Sequence, residues 1–287
     1  MAEAYIVAAA RTAGGRKGGK LKDWHPADMG GKVIQDLVKR TGVDPELIED
    51  VIVGCVDQAG EQGMNIARNA VLAGGLPESV PATSVDRQCG SSQQALHFGA
   101  QAVMSGAMDV VIAAGIESMT RVPMGGFNPS PNPALYEQSP GAYMGMGETA
   151  ENVAERKGIS RAEQEEFSLK SQFKTAAAKK AGKYDAEIVP IVKPDGTVVK
   201  DDGCPRPDSN AEGLAKLKPA FKADGTVTAA TSSPVTDGAA AVLVCSEEFA
   251  IKHGLEILAE VSSFAVTGLD PTVMGLGPVS ATNKALD

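Results

Sequence analysis

The chain has 287 residues, enough for roughly two domains of ordinary size, and its 43% hydrophobic and 22% charged residues match a globular composition. A net charge of −9 argues against a nucleic-acid or anionic-membrane surface, and no run approaches the roughly 18 apolar residues of a membrane span. The four cysteines, Cys55, Cys89, Cys204 and Cys245, form no Cys-x-x-Cys pair, which leaves neither a disulfide framework nor a metal site and fits a reducing, cytoplasmic setting.

The N-terminal MAEAYIVAAARTAGGRKGGK has no basic stretch ahead of its short apolar run, so no secretory signal is expected. YIVAAA (5–10) reads as a buried strand. Residues 26–40 read as a helix, with Pro26 in the first turn, Met29, Val33, Ile34, Leu37 and Val38 as an apolar stripe, and Gly42 as its stop. VIVGCV (51–56) is a second strand, 62–74 a helix, ATSV (82–85) a short lead into Cys89, 90–106 a small-residue helix, and 109–118 a third central strand. Apolar strands alternating with helices of this length predict an α/β fold with a parallel or mixed sheet covered on both faces.

After Thr120 the character changes. Residues 121–145 are rich in Gly, Pro, Asn and Met and suit a lid or binding loop. Two helices follow, the second opening with the capping box Ser160-Arg-Ala-Glu163. The strand pattern resumes at 238–246 and 256–266, and SATNKALD reads as a helix start. The simplest organisation is one α/β domain, 1–120 plus 235–270, interrupted by an insertion at 121–234, with 271–287 as the start of a truncated C-terminal domain.

Cys89 holds the candidate chemistry. Cys55 and Cys245 sit within apolar strand runs and Cys204 in a loop, whereas Cys89 sits where a helix begins, followed by Gly90, Ser91 and Ser92. A helix N-terminus offers unpaired N–H donors and about half a positive charge, which favour thiolate over thiol and offer donors to a developing oxyanion. A cysteine nucleophile usually needs a base. Of the three histidines, His97 lies eight residues along the same helix, roughly 12 Å away, while His25 and His253 read as surface residues. GGRKGGKL (14–21) is nearly a phosphate-binding loop, but Leu21 stands where the magnesium-binding hydroxyl would be, and a flexible basic loop is the better reading. TSSPVTDGAAA (231–241) is either a plain turn or a polar loop aimed at a ligand amide.

Several dispersed stretches in one order resemble the thiolase family of acetyl-CoA acyltransferases: AARTAGGRKGG, VDRQCGSSQQALHFGAQAVMSG, DVVIAAGIESM, MGETAENVAE, EIVPI, GTVTAATSSPVTDGAAAVL and LDPTVMGLGPVSATNKAL. The resemblance implies a thiolase-like mixed five-stranded sheet covered by helices, with a long α-rich loop domain that binds coenzyme A as a substrate, no resident cofactor being required. It implies that Cys89 is the nucleophile, taking an acyl group from acyl-CoA or 3-ketoacyl-CoA, with thiolysis by CoA or the reverse Claisen condensation with acetyl-CoA as the second step. It places Ser233 against pantetheine, Lys218 near the nucleotide end, and Met146 beside the acyl group. Gly145 stands where short-chain biosynthetic thiolases often carry His, so a longer or bulkier acyl chain is expected. Thiolases continue with a second copy of the fold bearing Asn-Glu-Ala-Phe, Gly-His-Pro and Cys-x-Gly-Gly-Gly segments, and none of these occurs in this sequence. The expectation is therefore an enzyme with its second thiolase-fold half missing, working as a homo-oligomer or with a complementing C-terminal thiolase domain. Such a chain would leave the apolar face of the Cys89 helix bare. A β-ketoacyl synthase relative and a non-catalytic CoA-binding module are the competing readings.

Overall fold

Residues 3–193 and 195–287 are described by a computed structural model. In chain order the elements are β1 (Tyr5–Arg11), β2 (Gly15–Arg16), α1 (Pro26–Thr41), β3 (Asp50–Gly54), α2 (Ile66–Ala73), β4 (Ala82–Val85), α3 (Ser91–Met104), β5 (Val110–Ser118), α4 (Pro133–Gln138), α5 (Met146–Lys157), α6 (Arg161–Lys180), β6 (Ile191–Val192), β7 (Val198–Val199), α7 (Ala211–Ala215), β8 (Thr236–Cys245), α8 (Glu247–Lys252), β9 (Ala259–Glu260) and α9 (Gly277–Leu286). None of the described helices is long and apolar enough to cross a membrane.

The chain divides into two units. The first, Met1–Asn128, Tyr184–Cys204 and Val235–Ser262, is built on a mixed sheet in the order β4-β3-β5-β8-β1-β9, with β2 pairing β8. Strands β3, β4 and β5 run parallel, and β8 is antiparallel to β5 on one side and β1 on the other. The expected five strands form the body of this sheet; β2 and β9 add two residues each. The two-residue side-chain period of β5 divides the core between the faces. Val110, Ile112, Ala114 and Ile116 join the cluster containing the α1 and α2 side chains, while Val111 and Ala113 meet Gly99 of α3.

Helix α1 buries the predicted stripe of Met29, Val33, Ile34, Leu37 and Val38. His25, read from the sequence as a plain surface residue, caps it: Nδ1 accepts from the Ala27 N–H at 3.2 Å. Helix α2 starts at Ile66 rather than 62, because Met64 and Asn65 take φ of 51° and 57° and Asn65 Oδ1 accepts from the Arg68 N–H at 3.3 Å. The strand expected at 256–266 is reduced to β9. Only Tyr5 and Ile6 pair with it, and both its residues are solvent-exposed, so no buried face prolongs it. The basic loop gains order from β2, whose Gly15 and Arg16 pair with Asp237 and Thr236.

Residues 184–204 were expected within the insertion but belong to the first unit. The Val189 N–H donates to the Arg11 carbonyl at 2.7 Å and the Arg11 N–H to that of Glu187 at 2.9 Å, which seats Ile188, Val189 and Ile191 in the core. Arg11 adds a two-pronged bond to Asp202, at 2.7 and 3.0 Å, a bond to Glu187 at 2.8 Å, and stacking over Tyr184 at 5.5 Å.

The second unit comprises Pro129–Lys183, Pro205–Pro234 and Ser263–Asp287. It therefore takes in 271–287, expected as the opening of a separate domain. Asn152 Nδ2 of α5 donates to the Thr272 carbonyl at 2.9 Å, which ties that segment down. Helix α6 opens with the capping box read from the sequence: Ser160 Oγ accepts from the Glu163 N–H at 3.3 Å, and Glu163 Oε2 accepts from the Ser160 N–H at 2.8 Å. Buried Glu151 of α5 accepts from the N–H groups of Thr226 and Val227, at 2.9 and 2.8 Å, and so clamps the loop ahead of residues 230–234.

Candidate active site

Strand β4 delivers the chain to the start of α3 at the carboxyl end of the parallel strands, where open α/β sheets place their ligands. The close fit of α3 depends on two strand glycines. A Cβ on Gly54 would collide with the peptide joining Ser91 to Ser92, and one on Gly115 would lie 2.6 Å from Ser92 Cβ. Small residues on both partners let the helix begin directly over the sheet.

Cys89 lies in the turn immediately before α3 and is exposed, whereas Cys55 and Cys245 are buried. Burial pushes the Cys55 thiol up to about 12, with Glu117 adding to the effect, and the Cys245 thiol up to about 11. These two are inert core residues, as their strand positions predicted. The N-cap position of α3 is Gly90, so no side chain caps the helix. The first intrahelical bond runs from the Gln94 N–H to the Gly90 carbonyl at 2.8 Å, and the N–H groups of Ser92 and Gln93 meet no acceptor among the described residues. The helix mouth next to Cys89 thus has open donors.

The turn has its own scaffold, which the sequence did not reveal. Ser91 Oγ accepts from the Arg87 N–H at 2.8 Å and donates to the Gln88 carbonyl at 2.6 Å. Asp86 Oδ1 accepts from the Gln88 N–H at 2.6 Å, and Arg87 Nε donates to Gln94 Oε1 at 2.6 Å. Short polar side chains two and three residues apart around the cysteine were the available signal.

None of the three histidines is set up as a base for Cys89. His25 caps α1, and the His253 ring stacks on Phe249 with centroids 4.2 Å apart. His97 is buried on α3, where burial, followed by the nearby Arg87 charge, lowers its pKa. Near the end of β5, Glu117 accepts from the Val56 N–H at 2.8 Å and from Gln62 Nε2 at 2.6 Å, and its burial raises its pKa. Asp237, expected in a turn or ligand loop, is instead buried in β8 and accepts from Ser118 Oγ at 3.0 Å and Thr120 Oγ1 at 2.6 Å.

Ser233, Lys218 and Met146 belong to the second unit and Cys89 to the first. Ser233 is exposed on the wall of a cleft of about 620 Å³ between α6 and residues 230–234, whose other walls include Gln164, Phe167 and Ser168. Ser168 Oγ fixes the two sides together by donating to the Ala230 carbonyl at 2.6 Å. Lys218 is exposed in the segment that pairs Pro219 with Thr228. Met146 opens α5 half-exposed, and the ring of Phe221 covers the neighbouring Gly147.

The family described as Thiolase, N-terminal domain, matches residues 4–248. The chain is 46% identical to an acetyl-CoA acetyltransferase of Chromobacterium violaceum, the match covering 99% of this chain and 76% of that protein. It is 44% identical to a 3-ketoacyl-CoA thiolase of Bacillus subtilis, over 100% of this chain and 76% of the other. It is 41% identical to a steroid 3-ketoacyl-CoA thiolase of Mycobacterium tuberculosis, over 100% of this chain and 72% of the other. With relatives this similar across nearly its whole length, the chain belongs to the thiolase family.

Proposed function

We propose that this chain is a thiolase-type acyltransferase in which Cys89 carries the acyl group. The observation that supports it is an exposed thiol at the uncapped mouth of α3, in a chain whose strand cysteines are buried. In the degradative direction Cys89 Sγ attacks the 3-keto carbon of a 3-ketoacyl-CoA. The bond between C2 and C3 then breaks, its electron pair stays on C2, and that carbon takes a proton to leave as acetyl-CoA. The thiol of a second CoA attacks the resulting thioester, the acyl group passes to CoA, and the Cys89 sulfur is released. The open N–H groups of α3 favour a nucleophilic sulfur and stabilise charge as it develops on the carbonyl oxygen.

The histidine placements leave the proton transfers to another group. In this reading the cleft beside Ser233 takes the pantetheine arm, Lys218 meets the phosphate end of CoA, and Met146 borders the acyl chain. Coenzyme A is a substrate, and the setting is cytoplasmic with a homo-oligomer or a complementing thiolase domain as the working form.

Incubation with acetyl-CoA or acetoacetyl-CoA, followed by intact and peptide mass, tests the assignment. The expected result is one acetyl group on Cys89, absent from Cys89→Ala. CoA binding without any adduct would leave only a binding module, and an adduct on another residue would overturn the role of Cys89.

A further inference from the structure

Cys89 is carried by a turn whose conformation a glycine would normally supply. Gln88, the residue before it, has φ of 48°, in the left-handed region that a side chain with a Cβ enters at a cost. Such a residue persists when its surroundings over-determine it, and here both backbone polar groups of Gln88 are gripped by side chains. Asp86 Oδ1 accepts from its N–H at 2.6 Å, and Ser91 Oγ donates to its carbonyl at 2.6 Å, beside the longer bond from the Ser91 N–H at 2.9 Å. The Ser91 hydroxyl is used fully: it also accepts from the Arg87 N–H at 2.8 Å, and its one proton has only a longer alternative, Asp86 Oδ1 at 3.4 Å. Ser91 is buried, against the peptide that packs over Gly54, so the hydroxyl cannot exchange these partners for water. The carbonyl it holds belongs to the peptide linking Gln88 to Cys89. Rotation of that peptide would swing the sulfur away from the helix mouth.

We propose that Ser91 is a positioning residue for Cys89, its hydroxyl locking Gln88 in the left-handed turn and thereby aiming the sulfur along the open start of α3. The proposal rests on the reading of Cys89 as the nucleophile. Ser91 acts through the Gln88 peptide and makes no contact with the reacting carbon. The role calls for a hydroxyl, not for serine itself, and the strain it holds belongs to the side chain at position 88. Asn is among the side chains most at home at positive φ, so Gln88→Asn should lower the need for the lock.

The test measures two rates at Cys89 in the 287-residue chain, resolved by peptide mass: alkylation by iodoacetamide and acetylation by acetyl-CoA. Ser91→Ala is expected to slow both about tenfold, the rate equivalent of one lost hydrogen bond. Ser91→Thr should stay near the wild-type rates, and Gln88→Asn in the Ser91→Ala background should recover most of the loss. Asp86→Ala, on the exposed side of the turn, reads the same lock if Ser91→Ala does not fold, with slowing again relieved by Gln88→Asn. Rates within twofold of wild type in Ser91→Ala, or slowing that neither Ser91→Thr nor Gln88→Asn escapes, would overturn the proposal. A wild-type chain that acetyl-CoA never acetylates would count against the function of Cys89, while the iodoacetamide ratios would still report on Ser91.

Discussion

Gly54, the last residue of β3, lies directly beneath the peptide that joins Ser91 to Ser92, with no room between them for a Cβ. Backbone on the other side cannot rotate away as a side chain would. Gly54→Ala should therefore lift the start of α3, at a cost of about 1–3 kcal/mol. A thermal melt is expected to show the loss, and the rate of Cys89 alkylation should fall with it. An alanine variant with wild-type stability would mean that the helix has slack at this point.

The thiols of Cys89, Cys55 and Cys245 should separate by accessibility. Native chain treated with iodoacetamide near neutral pH is expected to be modified at Cys89 well before Cys55 or Cys245, both buried and with thiols pushed up to about 12 and about 11. Unfolding in denaturant should abolish the difference. Fast native labelling of Cys55 would contradict the closed core around β3.

Arg11 gives a test of how the 184–204 segment is held. Its guanidinium meets Asp202 with two nitrogens, bonds Glu187 with a third, and lies over Tyr184. A lysine keeps the charge but cannot reproduce the fork. Arg11→Lys is expected to cost about 1–2 kcal/mol and to speed proteolysis within 184–204 at protease levels that spare the wild-type chain. Unchanged cleavage would show that Ile188 and Ile191 hold the segment unaided.

Glu151 predicts an acid limb. Burial works to raise its pKa, but the N–H groups of Thr226 and Val227 and the Thr226 hydroxyl outweigh it and bring the pKa below the ordinary value. A carboxyl depressed in the folded state contributes stability above its unfolded pKa, about 4.3, and loses it as pH falls through the folded value. Melting temperatures should therefore drop below about pH 4 in the wild type. Glu151→Gln, which sets an NH2 against those donors, should be about 1–3 kcal/mol less stable at neutral pH and have a shallower acid limb. Parallel pH profiles for the two would refute the role of the carboxylate.

The strands and helices of the first unit were legible because periodicity and buried faces coincide there. The α1 stripe follows from side-chain spacing, as does the β5 run from its continuous apolar composition and, in the second unit, the Ser160–Glu163 box. Cys89 was legible for a related reason: a strand run, a cysteine and a small-residue helix follow one another without a spacer. What escaped the sequence depends on long-range pairing. The return of 184–204 to the sheet edge is made by backbone bonds to Arg11, and no local pattern records them. Likewise β9 stops after two residues because β1 offers it no further partners and its residues bury nothing. The hydroxyl lock of Ser91 was invisible because it depends on the left-handed Gln88, a conformation that glutamine rarely signals.

Strand β8 sits between β5 and β1 in space, although it follows them both in the chain. During synthesis β1 leaves the ribosome roughly 230 residues before the strand that covers it, an interval of about 10–45 s at cellular elongation rates. Until β8 arrives, the β8-facing edge of β1, and that of β5 once it has emerged, are open to other chains. Ribosome stalling ahead of β8 would prolong that exposure and favour aggregation of the nascent chain.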